Sequence, residues 1–182
     1  LRCGHCAARL FKFKPRFMSK TTWIDMWKVI AAVSPRTRVE MAMAGEPTLH
    51  PKLPEFLKIA RRLSPESQIQ ITTNGTMLAS GKATYKELFD SGANIIYTDM
   101  YAPKEKHLAL AQKSGFMYYE YYKKPRNAPG AWEYTGPDLK LIVLSFWITG
   151  RGAWEQRDRK VRTNLYNVDG PMTYDALIIG GG

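Results

Sequence analysis

The sequence is poor in several things at once. Two cysteines, three histidines and 16 acidic residues stand against 27 lysines and arginines in 182 residues. With only Cys3 and Cys6, a disulfide-stapled secreted scaffold is excluded, and stability must come from a packed core. No apolar run approaches about 18 residues, so no membrane-spanning helix is expected. Nor does a basic-then-apolar signal segment open the chain, and the expected location is the cytoplasm. The acid deficit leaves a formal net charge of +11. Its basic residues gather in three places: Lys12, Lys14, Arg16 and Lys20; Lys123, Lys124 and Arg126; and Arg151, Arg157, Arg159, Lys160 and Arg162. Such clusters suit nucleic acid or an acidic peptide, and they also serve as solvated faces.

Strands and helices alternate along most of the chain. Trp23, Met26, Trp27 and Ile30 recur at helical spacing after a capping-box-like Thr22-Trp-Ile-Asp25, predicting a helix that ends near Ser34-Pro35. Arg38 to Ala44 alternates like a strand and runs into the loop Gly45-Glu-Pro-Thr-Leu-His-Pro51. Leu53, Phe56, Leu57, Ala60 and Leu63 mark the next helix, Gln68 to Thr73 the next strand, and Asn74-Gly75 a turn. Helices follow around Lys82 to Asp90 and Lys104 to Lys113, and strands around Asn94 to Asp99 and Phe116 to Tyr122. Lys123 to Pro137 reads as a long loop. Leu139 to Trp147 is almost continuously apolar, as suits a strand buried on both faces. This cadence predicts an α/β fold with a parallel sheet. Ligands bind such sheets at the carboxyl ends of the strands. The Gly45-Glu46-Pro47 loop, the Thr73-Asn74-Gly75 turn and, more weakly, Asp99 all fall at that edge.

Cys3 and Cys6, in Leu1-Arg-Cys-Gly-His-Cys, have a C-x-x-C spacing that suits a redox pair, half of a zinc site or part of an iron-sulfur cluster. His5, His50 and His107 lack the paired spacing of a structural zinc site, and Cys6 runs into Ala-Ala-Arg and a basic, proline-containing loop instead of opening a helix as in a thioredoxin-like pair.

The segment resembles the tail of the C-x3-C-x2-C motif of the radical SAM superfamily. Gly45-Glu-Pro-Thr-Leu-His-Pro51 resembles that family's GGEP loop, with Ala44 in place of a first glycine. Ile71-Thr-Thr-Asn-Gly-Thr-Met-Leu78 resembles the strand-end segment one helix later. The resemblance implies a partial (β/α)6 radical SAM barrel whose first strand is missing, so that the chain reads as truncated within the motif, with a third cysteine expected two positions before Leu1.

It further implies a [4Fe-4S] cluster held by Cys3 and Cys6, with S-adenosylmethionine (SAM) on the open iron. His5 would pack near the adenine. Glu46 would accept a hydrogen bond from the substrate's ammonium, Gly45 would let the backbone come close, Pro47 would stiffen the turn, and Thr73 and Asn74 would face the ribose or methionyl part. No residue is singled out as catalytic in hydrogen transfer. The expected partners are an electron donor of flavodoxin or ferredoxin type and a substrate drawn from peptides, nucleotides or RNA. A non-catalytic basic module of the same fold that contacts RNA is the alternative.

Residues 1–150 are read as the core and 151–182 as a basic C-terminal segment. That segment's end, Met172 to Gly182, resembles the opening strand and glycine turn of a flavin- or NAD-binding Rossmann domain. With no cysteine after Cys6, residues 7–182 supply no thiolate for an auxiliary cluster.

Overall fold

The computed structural model describes residues 16–42, 45–99, 103–121, 136–145 and 176–180. Their framework is one sheet of six parallel strands in the order β4-β5-β3-β2-β1-β6. The strands are β1 (Arg38–Ala42), β2 (Gln68–Thr73), β3 (Ile95–Asp99), β4 (Met117–Tyr121), β5 (Leu141–Ser145) and β6 (Ala176–Gly180). Between them run α1 (Lys20–Val33) before β1, α2 (Leu53–Leu63), the short α3 (Thr76–Ala79), α4 (Tyr85–Asp90) and α5 (Lys104–Ser114). The expected α/β class and parallel sheet are both present.

The strands are not in chain order, because β5 lies between β3 and β4. Its residues Ile142 to Ser145 are buried on both faces, while Met117 and Tyr119 of β4 are exposed. A strand apolar on both sides is stable only inside a sheet, and one with an exposed face tolerates the edge. On the other side β6 pairs with β1, from Arg38 opposite Ala176 to Ala42 opposite Gly180.

Alternation across each strand builds two faces. Val39, Met41, Ile69, Ile71, Ile96, Ile142 and Leu144 join Trp23, Trp27, Leu57, Leu88 and Phe89 of the helices in the main core. Leu57 and Ile69 are fully buried, each contributing about 1.5–3 kcal/mol. Trp23 seals α1 onto α2, since its indole Nε1 donates to the carbonyl of Phe56 at 2.8 Å. The opposite face carries a smaller apolar group of Ile95, Tyr97 and Val143. Beside it lies a polar lattice in which Arg38 donates to Gln70 (2.8 Å) and to Glu40 (3.3 Å), and Thr72 donates to Glu40 (2.7 Å).

At the amino edge of the sheet Asn94 acts as a clasp. Its Oδ1 accepts from the Ile69 amide at 2.8 Å and from the Arg61 guanidinium, and its Nδ2 donates to the carbonyls of Leu139 and Pro137. Arg61 also donates to the carbonyls of Pro65, Ser67 and Gly92. This side-chain pair ties α2, β2, β3 and the approach to β5 together.

Two helices begin elsewhere than the periodicity suggests. α1 starts at Lys20 rather than at Thr22, because the Ser19 hydroxyl accepts the Thr22 amide at 3.1 Å and caps the helix one turn earlier. The helix expected around Lys82 to Asp90 begins later, at Tyr85, and a separate short helix precedes it. Residues Thr76–Ala79 form α3, Gly81 turns the chain at φ 74°, and Thr84 caps α4 by accepting the Glu87 amide at 3.1 Å. No helix among the described residues is long and apolar enough to cross a membrane.

Candidate functional site

Strands β1 and β2 are adjacent and parallel, so the loops at their carboxyl ends emerge side by side. The β1 loop turns at Gly45, whose φ of 105° lies where side chains other than glycine are strained. Glu46 follows as the cap of a 3₁₀ turn, Pro47–Leu49, with Pro47 in the first position, where a missing N–H loses nothing.

Glu46 is the hub of the edge. Its Oε1 accepts from the Thr48 amide (3.0 Å), the Thr48 hydroxyl (2.5 Å) and the Thr73 hydroxyl (2.6 Å). Its Oε2 accepts from the Asn74 amide at 2.7 Å. Charge-assisted bonds of this kind fix a carboxylate in one orientation. A carboxylate has about four acceptor positions, and the load here is uneven. Oε1 is saturated by three donors, and Oε2 receives one among the described residues. The group is half-buried and therefore presents an oriented acceptor oxygen at the carboxyl edge of the sheet.

Thr73 and Asn74 meet Glu46 directly, which places both sequence motifs in one cluster. Their polar groups serve the turn itself: the Thr73 hydroxyl donates to Glu46 and accepts the Gly75 amide (3.1 Å), and Asn74 Oδ1 accepts the Thr76 amide (2.9 Å). Asp99 closes β3 two strands away from Glu46's strand, half-buried.

Two participants were not singled out from the sequence. Thr48 gives Glu46 two donors, and the signal for it was local, a hydroxyl residue two positions after an acidic cap. His107 has no local signal. It is fully buried at the first turn of α5, and neither ring nitrogen has a hydrogen-bond partner among the described residues. Leaving a buried polar group unsatisfied costs about 1–3 kcal/mol. Burial, with Lys106 adding to it, pushes the ring's pKa below the ordinary histidine value.

Cys3, His5 and Cys6 lie outside the described residues, as do Lys12, Lys14 and the basic groups at 123–126 and 151–162. Among the described residues no group of three or more histidine, cysteine or acidic side chains is arranged to hold a metal ion. The donor set at Glu46 is all oxygen, with one oriented anionic acceptor, and fits an organic cation such as an ammonium rather than a soft metal. The chain's two thiolates, Cys3 and Cys6, lie outside this set.

No curated protein matches the chain. The family model described as the radical SAM superfamily matches residues 1–134, well over half of the sequence and a span that takes in the cysteines, the Glu46 loop and the Thr73 turn. On that match, and with the parallel α/β sheet and its polar carboxyl edge in place, the chain belongs to the radical SAM superfamily.

Proposed function

We propose that this chain is the cofactor-binding core of an enzyme that uses a [4Fe-4S] cluster and SAM to abstract hydrogen from a substrate. When bound, these cofactors supply one-electron cleavage of the sulfonium to methionine and a 5′-deoxyadenosyl radical, the hydrogen-abstracting species. The chain's own part is to bind and orient. Cys3 and Cys6 contribute two of the cluster's thiolates. Glu46 accepts the ammonium of SAM through Oε2, while Thr48, Thr73 and Asn74 hold the carboxylate still. Pro47 stiffens the turn, Gly45 lets the ligand approach the backbone, and His5 stacks near the adenine. The electron comes from a flavodoxin- or ferredoxin-type donor in the cytoplasm, and the substrate is a peptide, nucleotide or RNA.

The single observation that supports this assignment best is the uneven loading of Glu46. Three donors pin one oxygen of this half-buried carboxylate, while the other receives a single amide among the described residues and keeps acceptor capacity at the carboxyl edge of the sheet.

The test is anaerobic reconstitution with iron and sulfide of the protein expressed from its full reading frame. A brown product that releases 5′-deoxyadenosine on reduction is expected, with colour lost in Cys3→Ala and Cys6→Ala. Glu46→Gln should keep the cluster and weaken SAM binding by about tenfold or more, as expected for losing a charge-assisted bond. A colourless, iron-free product would overturn the assignment. Unchanged SAM affinity in Glu46→Gln would remove Glu46 from the site.

A further inference from the structure

Behind the Thr73–Gly75 turn sits a buried group that the binding of SAM to Glu46 leaves unexplained. A neutral imidazole presents one N–H and one bare nitrogen, and the His107 ring has both buried without a partner among the described residues. Such an arrangement calls for a local reason.

The neighbours supply one. A Cβ added to Gly75 would stand 2.5 Å from His107 Cε1, 3.0 Å from Nε2 and 2.7 Å from Thr98 Cγ2. The ring and Thr98 therefore lie directly against the Gly75 backbone, which folds over them at φ 73°. Further along the same turn, the Asn74 amide and the Thr73 hydroxyl donate to the two oxygens of Glu46. Ring, turn and carboxylate form a stack. Any change in the space the ring occupies moves Gly75, and through it the Asn74 amide.

We propose that His107 is a positioning residue whose neutral ring holds the Thr73–Asn74–Gly75 turn in register with Glu46 and thereby sets the affinity of that carboxylate for a cationic ligand. The part concerning affinity rests on Glu46 receiving the SAM ammonium. The part concerning the turn does not.

The stack is sensitive to acid. Desolvation disfavours the charged ring and Lys106 on the same helix opposes it further, with no carboxylate compensating. From α4 the Tyr85 hydroxyl approaches Thr98 at 3.5 Å, and its own pKa is raised by burial. Helix α3 and strand β5 offer no titratable side chain. A protonated ring thus has nothing among the described residues to pair with, and the turn must lift to let water reach it.

The experiment compares the full chain with His107→Leu and His107→Ala from about pH 8 to about pH 5, the span of histidine titration. Amide shifts of Asn74 and Gly75 are followed by NMR without ligand, and SAM binding by equilibrium dialysis. In the native chain both amides should shift with the ring's own titration, and SAM should bind about tenfold more weakly on the acid side, a change of one decade in Kd. His107→Leu, similar in bulk and uncharged, should bind within about twofold of the native chain at the upper pH and respond flatly to acid. His107→Ala should weaken binding about tenfold at every pH. Native amides that ignore the ring's titration would overturn the proposal, as would a folded His107→Leu that binds as weakly as the alanine variant. Should the alanine variant fail to fold, the leucine profile decides. Amides that follow the ring while no variant binds SAM at any pH would uphold the positioning role and reject the assignment of Glu46 to SAM.

Discussion

At the scale of single residues, the site depends on positions where no other side chain serves. Gly75 combines a left-handed backbone with a space already filled by His107 and Thr98, whereas Gly81 has nearly the same φ, 74°, and nothing within 4 Å of a would-be Cβ. Gly81→Ala should therefore cost about 1–2 kcal/mol, the left-handed penalty alone. Gly75→Ala should cost at least about 1–3 kcal/mol more for the overpacking. Denaturant melts of the two variants check this, and equal losses would show that the ring yields freely. His107 adds a pH dependence whose sign follows from its depressed pKa. The unfolded chain takes up a proton near pH 6.5, and the folded chain resists it. Stability is accordingly full above that value and falls with acid until the folded pKa is passed. Urea titrations at several pH values should show this slope flattened in His107→Leu.

Among the elements, the clasp at the amino edge matters most. Asn94→Ala removes the acceptor of the Ile69 amide and the donor to Leu139 and Pro137. The expected loss is about 2–4 kcal/mol, measured as a fall in denaturant midpoint at unchanged m. Element type was well marked in the sequence for the longer elements, since α1 and α2 keep an apolar stripe at helical spacing and each strand a run or an alternation. Element ends were less so. Ser19 displaced Thr22 as a cap, and Thr84 moved the start of the helix expected around Lys82 to Tyr85, because a cap is chosen by which hydroxyl reaches a free amide and not by periodicity.

For the whole molecule, strand order governs where cooperativity lies. Among the described residues strands β1, β2, β3 and β5 are interior, and β4 and β6 form the edges. Hydrogen exchange should leave the amides of Ile69, Ile71, Ile96 and Ile142 protected longest and those of β4 and β6 exchanging first. Protection of β4 equal to that of β5 would contradict the order. The sequence by itself determined the α/β class, the parallel sheet, the membership of the family and the nearness of the Glu46 loop to the Thr73 turn. All of these follow from local periodicity and from the rule that successive parallel strands end on one edge. Only the tertiary structure decided that β5 enters between β3 and β4, that Thr73 and Asn74 bond to Glu46, and that the His107 ring lies against Gly75. These are contacts between residues far apart in the chain. Which partners fill a given space depends on how whole elements pack, and no window of sequence contains that.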